Sequence, residues 1–283
     1  MTRLQTLTQR WADQLYDRTV RWLQYADHGR AYRPYEEGLR YFEQGRYDTA
    51  RVFFTKALEV DPRYLSARLL RGICFRHLQE WTLARGDLST CIEQDSREPL
   101  AFFQRGLTLM GQELPELALA DFNEALHLAP DHFRARANRG LAYLALAQPQ
   151  AAQRDFEWLI EAQPEEAGYH WGLGEALAAQ SFREAAFAAY QCSISLHPQA
   201  VRGYLSRGKL SLQMRRHAEA ERDLRHAYAL AEAPTQEAGW LALACLRNDK
   251  LSEAQQYLVQ AMAEGWRPEE ELRAEFRQRG LLP

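Results

Sequence analysis

Small and apolar residues recur along this chain with one long period. Gly38, Gly72, Gly106, Gly140, Gly174 and Gly208 lie 34 residues apart, and the next step falls on Ala242. Twelve residues after each comes Ala50, Ala84, Ala118, Ala152, Ala186, Ala220 or Ala254. Four further on stand Phe54, Leu88, Phe122, Phe156, Tyr190, Leu224 and Leu258, and three beyond them Ala57, Cys91, Ala125, Leu159, Ser193, Ala227 and Ala261. Steps of four and three put these places on one face of a helix. The recurrent Gly or Ala belongs to a preceding helix, where a larger side chain would hold that face away. Between the two helices a break is marked by Gly45, Pro115 and Pro149, proline being suited to the first turn of a new helix. Pro62, Pro130, Pro164 and Pro198 close four of the units. The pattern predicts seven helical hairpins in phase, without insertions.

Within this frame Gly38, Tyr41, Ala50, Phe54 and Pro62 resemble the tetratricopeptide repeat, and so do Gly140, Tyr143, Ala152, Phe156 and Pro164. The resemblance implies an all-α, right-handed α-solenoid of seven helix-turn-helix tetratricopeptide repeats with helical caps. The repeats run 31–64, 65–98, 99–132, 133–166, 167–200, 201–234 and 235–268. The chain departs from the family pattern in lacking its Trp, in carrying Trp266 where the seventh unit should have Pro, and in placing Arg where Leu precedes Gly in four units. The seventh unit is therefore expected to fray first.

The arginines carry information. Arg71, Arg105, Arg139 and Arg207 precede their glycines, and sixteen residues later the same units carry Asp87, Asp121, Asp155 and Asp223. The other three units have Glu37, Leu173 and Leu241 at the first place and Phe53, Ala189 and Tyr257 at the second. Arg and Asp come and go together, which predicts a bidentate bridge between the two helices of a hairpin. The competing reading of the repeated Arg-Gly pair is an RNA-binding box.

Outside the repeats, residues 1–30 place Leu4, Leu7, Trp11, Leu15, Tyr16, Val20 and Leu23 at helical spacing. They suit a degenerate half-repeat that caps the stack; insertion into the groove and a homodimer contact are the alternatives. Residues 269–283 suit a capping helix with Leu272 and Phe276 inward and Gly280 as terminator.

Composition narrows the function. Of 283 residues 46% are hydrophobic, enough for a core, while 35 Lys plus Arg against 38 Asp plus Glu leave no cationic surplus for a polyanion. The Arg-rich segment 215–226 interleaves Glu and Asp, so nucleic acid is not the expected partner. Cys74, Cys91, Cys192 and Cys245 form no CxxC and pair with no His at ligand spacing, so no metal or cofactor is expected and the thiols suit a reducing, cytoplasmic setting. No secretory leader and no membrane-spanning apolar run is evident. No GxSxG, phosphate loop or HExxH occurs, and the glycines of segment 168–177 lie inside a helix in register, so no catalytic residues are assigned and no enzyme is expected.

The resemblance implies a concave face lined by the first helix of each unit, reached by places three before, one after and four after the glycine. The candidates are Tyr35, Phe103 and Trp171; Leu39, Ile73, Leu107, Leu141, Glu175 and Lys209; Phe42, Arg76 and Met110; with Asn138 alongside and Arg202 on the rim. The expected occupant of this mostly apolar trough is another protein's peptide or amphipathic helix. Packing between adjacent first helices, or occupation by the protein's own amino-terminal helix, would fill it otherwise. The carboxylate clamp with which some members hold chaperone tails is missing, because its places carry Tyr35, Leu39, Leu70, Leu100 and Gln104.

Overall fold

Each 34-residue period becomes two helices joined by a tight turn. The computed structural model describes residues 29–282; the expectations for residues 1–28 lie outside the described residues. A 3-10 turn, Gly29–Ala31, precedes fifteen α-helices, and no strand occurs among the described residues. The hairpins are α1 (Tyr32–Glu43) with α2 (Tyr47–Val60), α3 (Leu65–His77) with α4 (Trp81–Gln94), and α5 (Pro99–Gly111) with α6 (Pro115–Leu128). Next come α7 (Phe133–Ala145), α8 (Pro149–Ala162), the pair α9 (Ala167–Ala179) and α10 (Arg183–Leu196), and the pair α11 (Val201–Gln213) and α12 (His217–Leu230). The series ends with α13 (Thr235–Arg247), α14 (Leu251–Ala263) and a shorter α15 (Glu270–Gln278). The chain divides into two compact units, one up to Ala142 and one from Tyr143.

One turn geometry recurs in every hairpin. Gly45, Gln79, Glu113, Ala147, Ser181, Arg215 and Asp249 all have φ between 53° and 73°. The next amide donates to the carbonyl five residues back, from Arg46 to Tyr41, from Glu80 to Phe75 and so on to Lys250 and Cys245, at 2.8–2.9 Å. This is the Schellman ending of a helix, which favours glycine at the left-handed residue. Only the first hairpin has it. The strain at the other six places is roughly 1–2 kcal/mol each, partly offset because glycine loosens the unfolded chain. Ala147→Gly or Gln79→Gly is accordingly expected to raise stability by about 0.5 kcal/mol, as an increased urea midpoint; an unchanged or lower midpoint would contradict the assignment of strain.

Close helix approach explains the recurrent glycines. A Cβ at Gly38 would stand 2.6 Å from the Phe54 ring, at Gly106 2.6 Å from Phe122, and at Gly174 2.5 Å from Tyr190. Where leucine replaces the ring the fit is looser at Gly72, 3.0 Å from Leu88, and comparable at Gly208, 2.7 Å from Leu224. Within the first unit, α1 packs on α2, α2 on α3, and so on to α6, and the first helices α3 and α5 also touch. Within the second, the same holds from α8 to α14, with α9 on α11, α11 on α13 and α13 on α15.

Bidentate Arg–Asp pairs join the two helices of the second, third and sixth hairpins. Arg71 donates Nε and Nη2 to Asp87 at 2.7 and 2.8 Å, Arg105 to Asp121 at 2.8 and 2.7 Å, and Arg207 to Asp223 at 2.7 Å for both. The third guanidinium nitrogen, Nη1, turns the other way. It reaches Thr55 from Arg71 at 3.2 Å, Ser89 from Arg105 at 3.1 Å, Asn123 from Arg139 at 3.0 Å, and Gln191 from Arg207. Each of these partners lies sixteen residues back, on the second helix of the preceding hairpin. The arginine thus ties its own hairpin to the one before it. Asp155, the aspartate of the fourth pair, is buried on α8.

The seventh hairpin is well packed: α13 contributes an unbroken buried run from Leu241 to Leu246, and Phe276 of α15 closes it at zero exposure. Trp266, standing where proline was expected, lies so close over Gly239 that a Cβ there would be 2.4 Å from the indole. A large aromatic lid therefore takes the place of the missing proline.

Candidate protein-binding face

The candidate residues lie on the first helices of the hairpins, and the two units, each taken by itself, present different chemistry there. In the first unit Tyr35, Ile73 and Phe103 are fully buried and belong to the core. This corrects their assignment to an accessible groove: contacts of α1 with α2, of α2 with α3 and of α3 with α5 cover those flanks. Tyr35 packs on Phe54 and Tyr64, with ring centroids 5.8 and 4.7 Å apart, and Phe103 on Phe122 at 6.2 Å. Leu39, Phe42, Leu107, Met110 and Leu141 remain partly open. Asn138 is also partly open, but its amide donates to Arg134 O on its own helix at 2.8 Å.

A cationic group borders this apolar surface. Arg76 donates Nε to Gln104 at 3.1 Å and Nη2 to the His77 ring at 2.8 Å, and His77 stacks on Tyr47 with centroids 4.0 Å apart. Because a guanidinium only donates, the His77 Nε2 accepts and the ring is neutral. Burial, then Arg76 and Arg134, push its pKa down to about 4. Burial also lowers Arg76, with Arg134 adding to the effect. Arg134 itself lies over the Phe103 ring, 5.8 Å from its centroid.

In the second unit the same layer is a hydrogen-bonded network rather than an apolar trough. Tyr190 and Ser206 both donate to Glu175 Oε1, at 2.8 and 2.7 Å, and Trp171 Nε1 donates to Ser206 at 3.1 Å. Burial and the Glu175 charge raise the Tyr190 phenol well above its usual range. Arg202 lies over Trp171 at 5.0 Å and Lys209 over Trp240 at 4.6 Å. Trp171, Glu175 and Arg202 therefore stand together, with Glu175 already committed to internal donors, while Lys209 turns to Trp240. The residues that sequence reasoning missed here are Ser206, Tyr190 and Trp240. Ser206 and Trp240 lie in other hairpins than the candidates they meet and stand outside the repeating columns, so periodicity carries no signal for them, whereas Tyr190 shares its hairpin with Glu175 and belongs to the aromatic column.

Other clusters are internally balanced. Glu221, Cys245 and Glu253 come within 4.8 Å of one another, a spacing that could hold a metal ion. The Arg225 guanidinium sits among them, donating to Glu221 at 2.8 Å, to Glu253, and to Cys245 Sγ at 3.9 Å, while Lys250 adds a bond to Glu221 at 2.7 Å. A cation would have to displace two others. Two arginines of the 215–226 segment are similarly engaged, Arg216 with Glu184 and Arg225 with Glu221 and Glu253. Burial pushes Cys74 and Cys91 up to about 12 and Cys245 up to about 11, leaving the thiols protonated and unreactive. No helix among the described residues is long and apolar enough to cross a membrane.

Paired helices of fixed length, one turn geometry and an arginine ladder between hairpins define a helical-repeat protein of the α-solenoid class. The tetratricopeptide repeat model matches residues 35–98, 103–147 and 138–201, so the chain belongs to the tetratricopeptide repeat family. A tetratricopeptide repeat protein from Parabacteroides merdae shares the fold with a TM-score of 0.72 at 18% identity, covering 88% of this chain and 98% of that one. PilF of Pseudomonas aeruginosa does so at 0.60 and 23% identity, over 71% of this chain and 91% of that one. Among curated relatives, RNA polymerase II-associated protein 3 of Mus musculus is 30% identical over 100 residues, which is 35% of this chain and 15% of that protein. The chain thus spans a small part of the length of these relatives. The family's fold is a protein–protein interaction scaffold, generally without catalytic activity.

Proposed function

We propose that this protein is a non-catalytic cytoplasmic adaptor that holds an apolar or amphipathic segment of a partner protein against its first-helix layer. The observation that carries this reading is the partly open row Leu39, Phe42, Leu107, Met110 and Leu141, bordered by Arg76 and its neutral partner His77. Exposed apolar strips rimmed by polar groups are interaction surfaces. An amphipathic helix would bury its apolar face there, with acidic residues toward Arg76. In the second unit, Trp171 and Arg202 offer an aromatic and cationic contact of the kind that anchors interfaces. The likeness to RNA polymerase II-associated protein 3, limited as it is, supports a partner within a larger protein assembly.

The test is affinity capture with wild type and the Leu107→Glu, Leu141→Glu double variant. Both leucines are half-buried, so the helical circular dichroism spectrum should persist while capture of the wild-type partner falls at least about tenfold, two charges being placed on the apolar strip. Undiminished capture by the double variant would remove the proposal.

A further inference from the structure

The second unit contains a cleft of about 840 Å³ at the far end of α11 and α13, where α15 lies against the turns. It is an open, mostly polar surface cleft rather than an enclosed cavity. Its walls are charged in an unbalanced way. Four arginines, Arg183, Arg215, Arg247 and Arg279, face two carboxylates, Asp249 and Glu275. Arg247 is held by Glu275 through two bonds of 2.9 and 2.8 Å, and Arg279 pairs with Asp249. Arg183 and Arg215 have no side-chain partner among the described residues, and both are exposed. A further polar atom in the cleft wall, His217 Nδ1, is buried without a hydrogen-bond partner. The field there is positive: Arg247, then His217 and Arg279, hold the Glu275 carboxyl below its usual range against the opposing effect of burial.

From this arrangement we infer a second binding site, for a short acidic peptide segment of a partner protein, in which Arg183 and Arg215 each take a carboxylate. Guanidinium forks match carboxylates bidentately. The remaining wall suits a peptide: Gln213 and Gln278 offer amides that both donate to and accept from a backbone, over an apolar floor of Leu212 and Leu246. The wall contains no Phe, Tyr or Trp ring on which a nucleobase could stack. The site is separate from the apolar row of the first unit, and it stands or falls independently of that reading.

The experiment titrates the full chain by calorimetry with an acetylated and amidated Asp-Glu-Asp-Glu peptide, its Asn-Gln-Asn-Gln counterpart, inorganic phosphate and a single-stranded oligonucleotide. Wild type is expected to bind the acidic peptide, more weakly as salt rises, and to ignore the neutral one. The Arg183→Gln, Arg215→Gln variant should bind it at least about tenfold more weakly with its helical spectrum intact, since both side chains are exposed. The Leu107→Glu, Leu141→Glu variant should bind it as wild type does. Mapping on wild type by NMR supplies a check that needs no variant, with shifts expected at Arg183, Arg215 and His217. Absence of peptide binding, equal binding by the arginine variant, equal binding of the neutral peptide, tighter binding of phosphate or the oligonucleotide, or shifts confined to other residues would each overturn the inference.

Discussion

Asp223→Ala is expected to lower stability by about 3 kcal/mol, while Arg207→Leu combined with Asp223→Leu should restore most of it. The Arg207 and Asp223 side chains are 12% and 5% exposed, so both charges have left water almost entirely. Removing the carboxylate strands a guanidinium whose remaining partner is the neutral Gln191. Breaking a buried pair from one side costs roughly 3–5 kcal/mol, and the lower end applies because Gln191 stays. Replacing both partners removes the two desolvation penalties together. The chain already contains this exchange: Leu173 with Ala189, and Leu241 with Tyr257, occupy the same two places in other hairpins. Urea unfolding of the single and double variants checks it. A single-variant loss under about 1 kcal/mol would show the bridge to be nearly neutral.

Gly172→Ala is expected to destabilise by about 2 kcal/mol, against the usual direction for a helix interior. Alanine is ordinarily favoured over glycine there by about 1 kcal/mol. At Gly172, however, the new Cβ would lie 2.3 and 2.4 Å from the Phe156 ring, which is itself 2% exposed and has nowhere to turn. Gly86 lies inside α4 with nothing within 4 Å of the same position, so Gly86→Ala should stabilise by about 1 kcal/mol and serves as the control. Phe156→Leu in the Gly172→Ala background should recover part of the loss, measured as a coupling in a double-mutant cycle. Equal effects of the two alanines would show that the ring contact is not what keeps residue 172 small.

The repeating features of the fold were legible because the same contact is made many times. The Gly, Ala and aromatic columns and the Arg and Asp places sixteen apart belong to this group. The partners sixteen residues before each arginine were equally periodic but went unseen, because Thr55, Ser89, Asn123 and Gln191 share a position and an acceptor oxygen but not a residue type. The left-handed turns were visible at Gly45 alone. Gln79 and Glu113 have no preference for that conformation, which the packing of the flanking helices imposes. On the binding face, places counted from the glycine located the helix but not its exposure. Tyr35, Ile73 and Phe103 lie on flanks that neighbouring helices cover, while Glu175 accepts from Ser206 of the next hairpin, a contact outside the repeating columns.

The arginine ladder also bears on how the chain acquires its structure. Each rung closes a loop of sixteen residues, within the hairpin or back to the one before. Short closures of this kind are entropically inexpensive and give a low contact order, for which folding is fast. At roughly 5–20 residues per second of synthesis, a new hairpin emerges about every two to seven seconds, far slower than helices form. An arginine leaving the ribosome therefore meets its backward partner already folded, and only its aspartate is still to come.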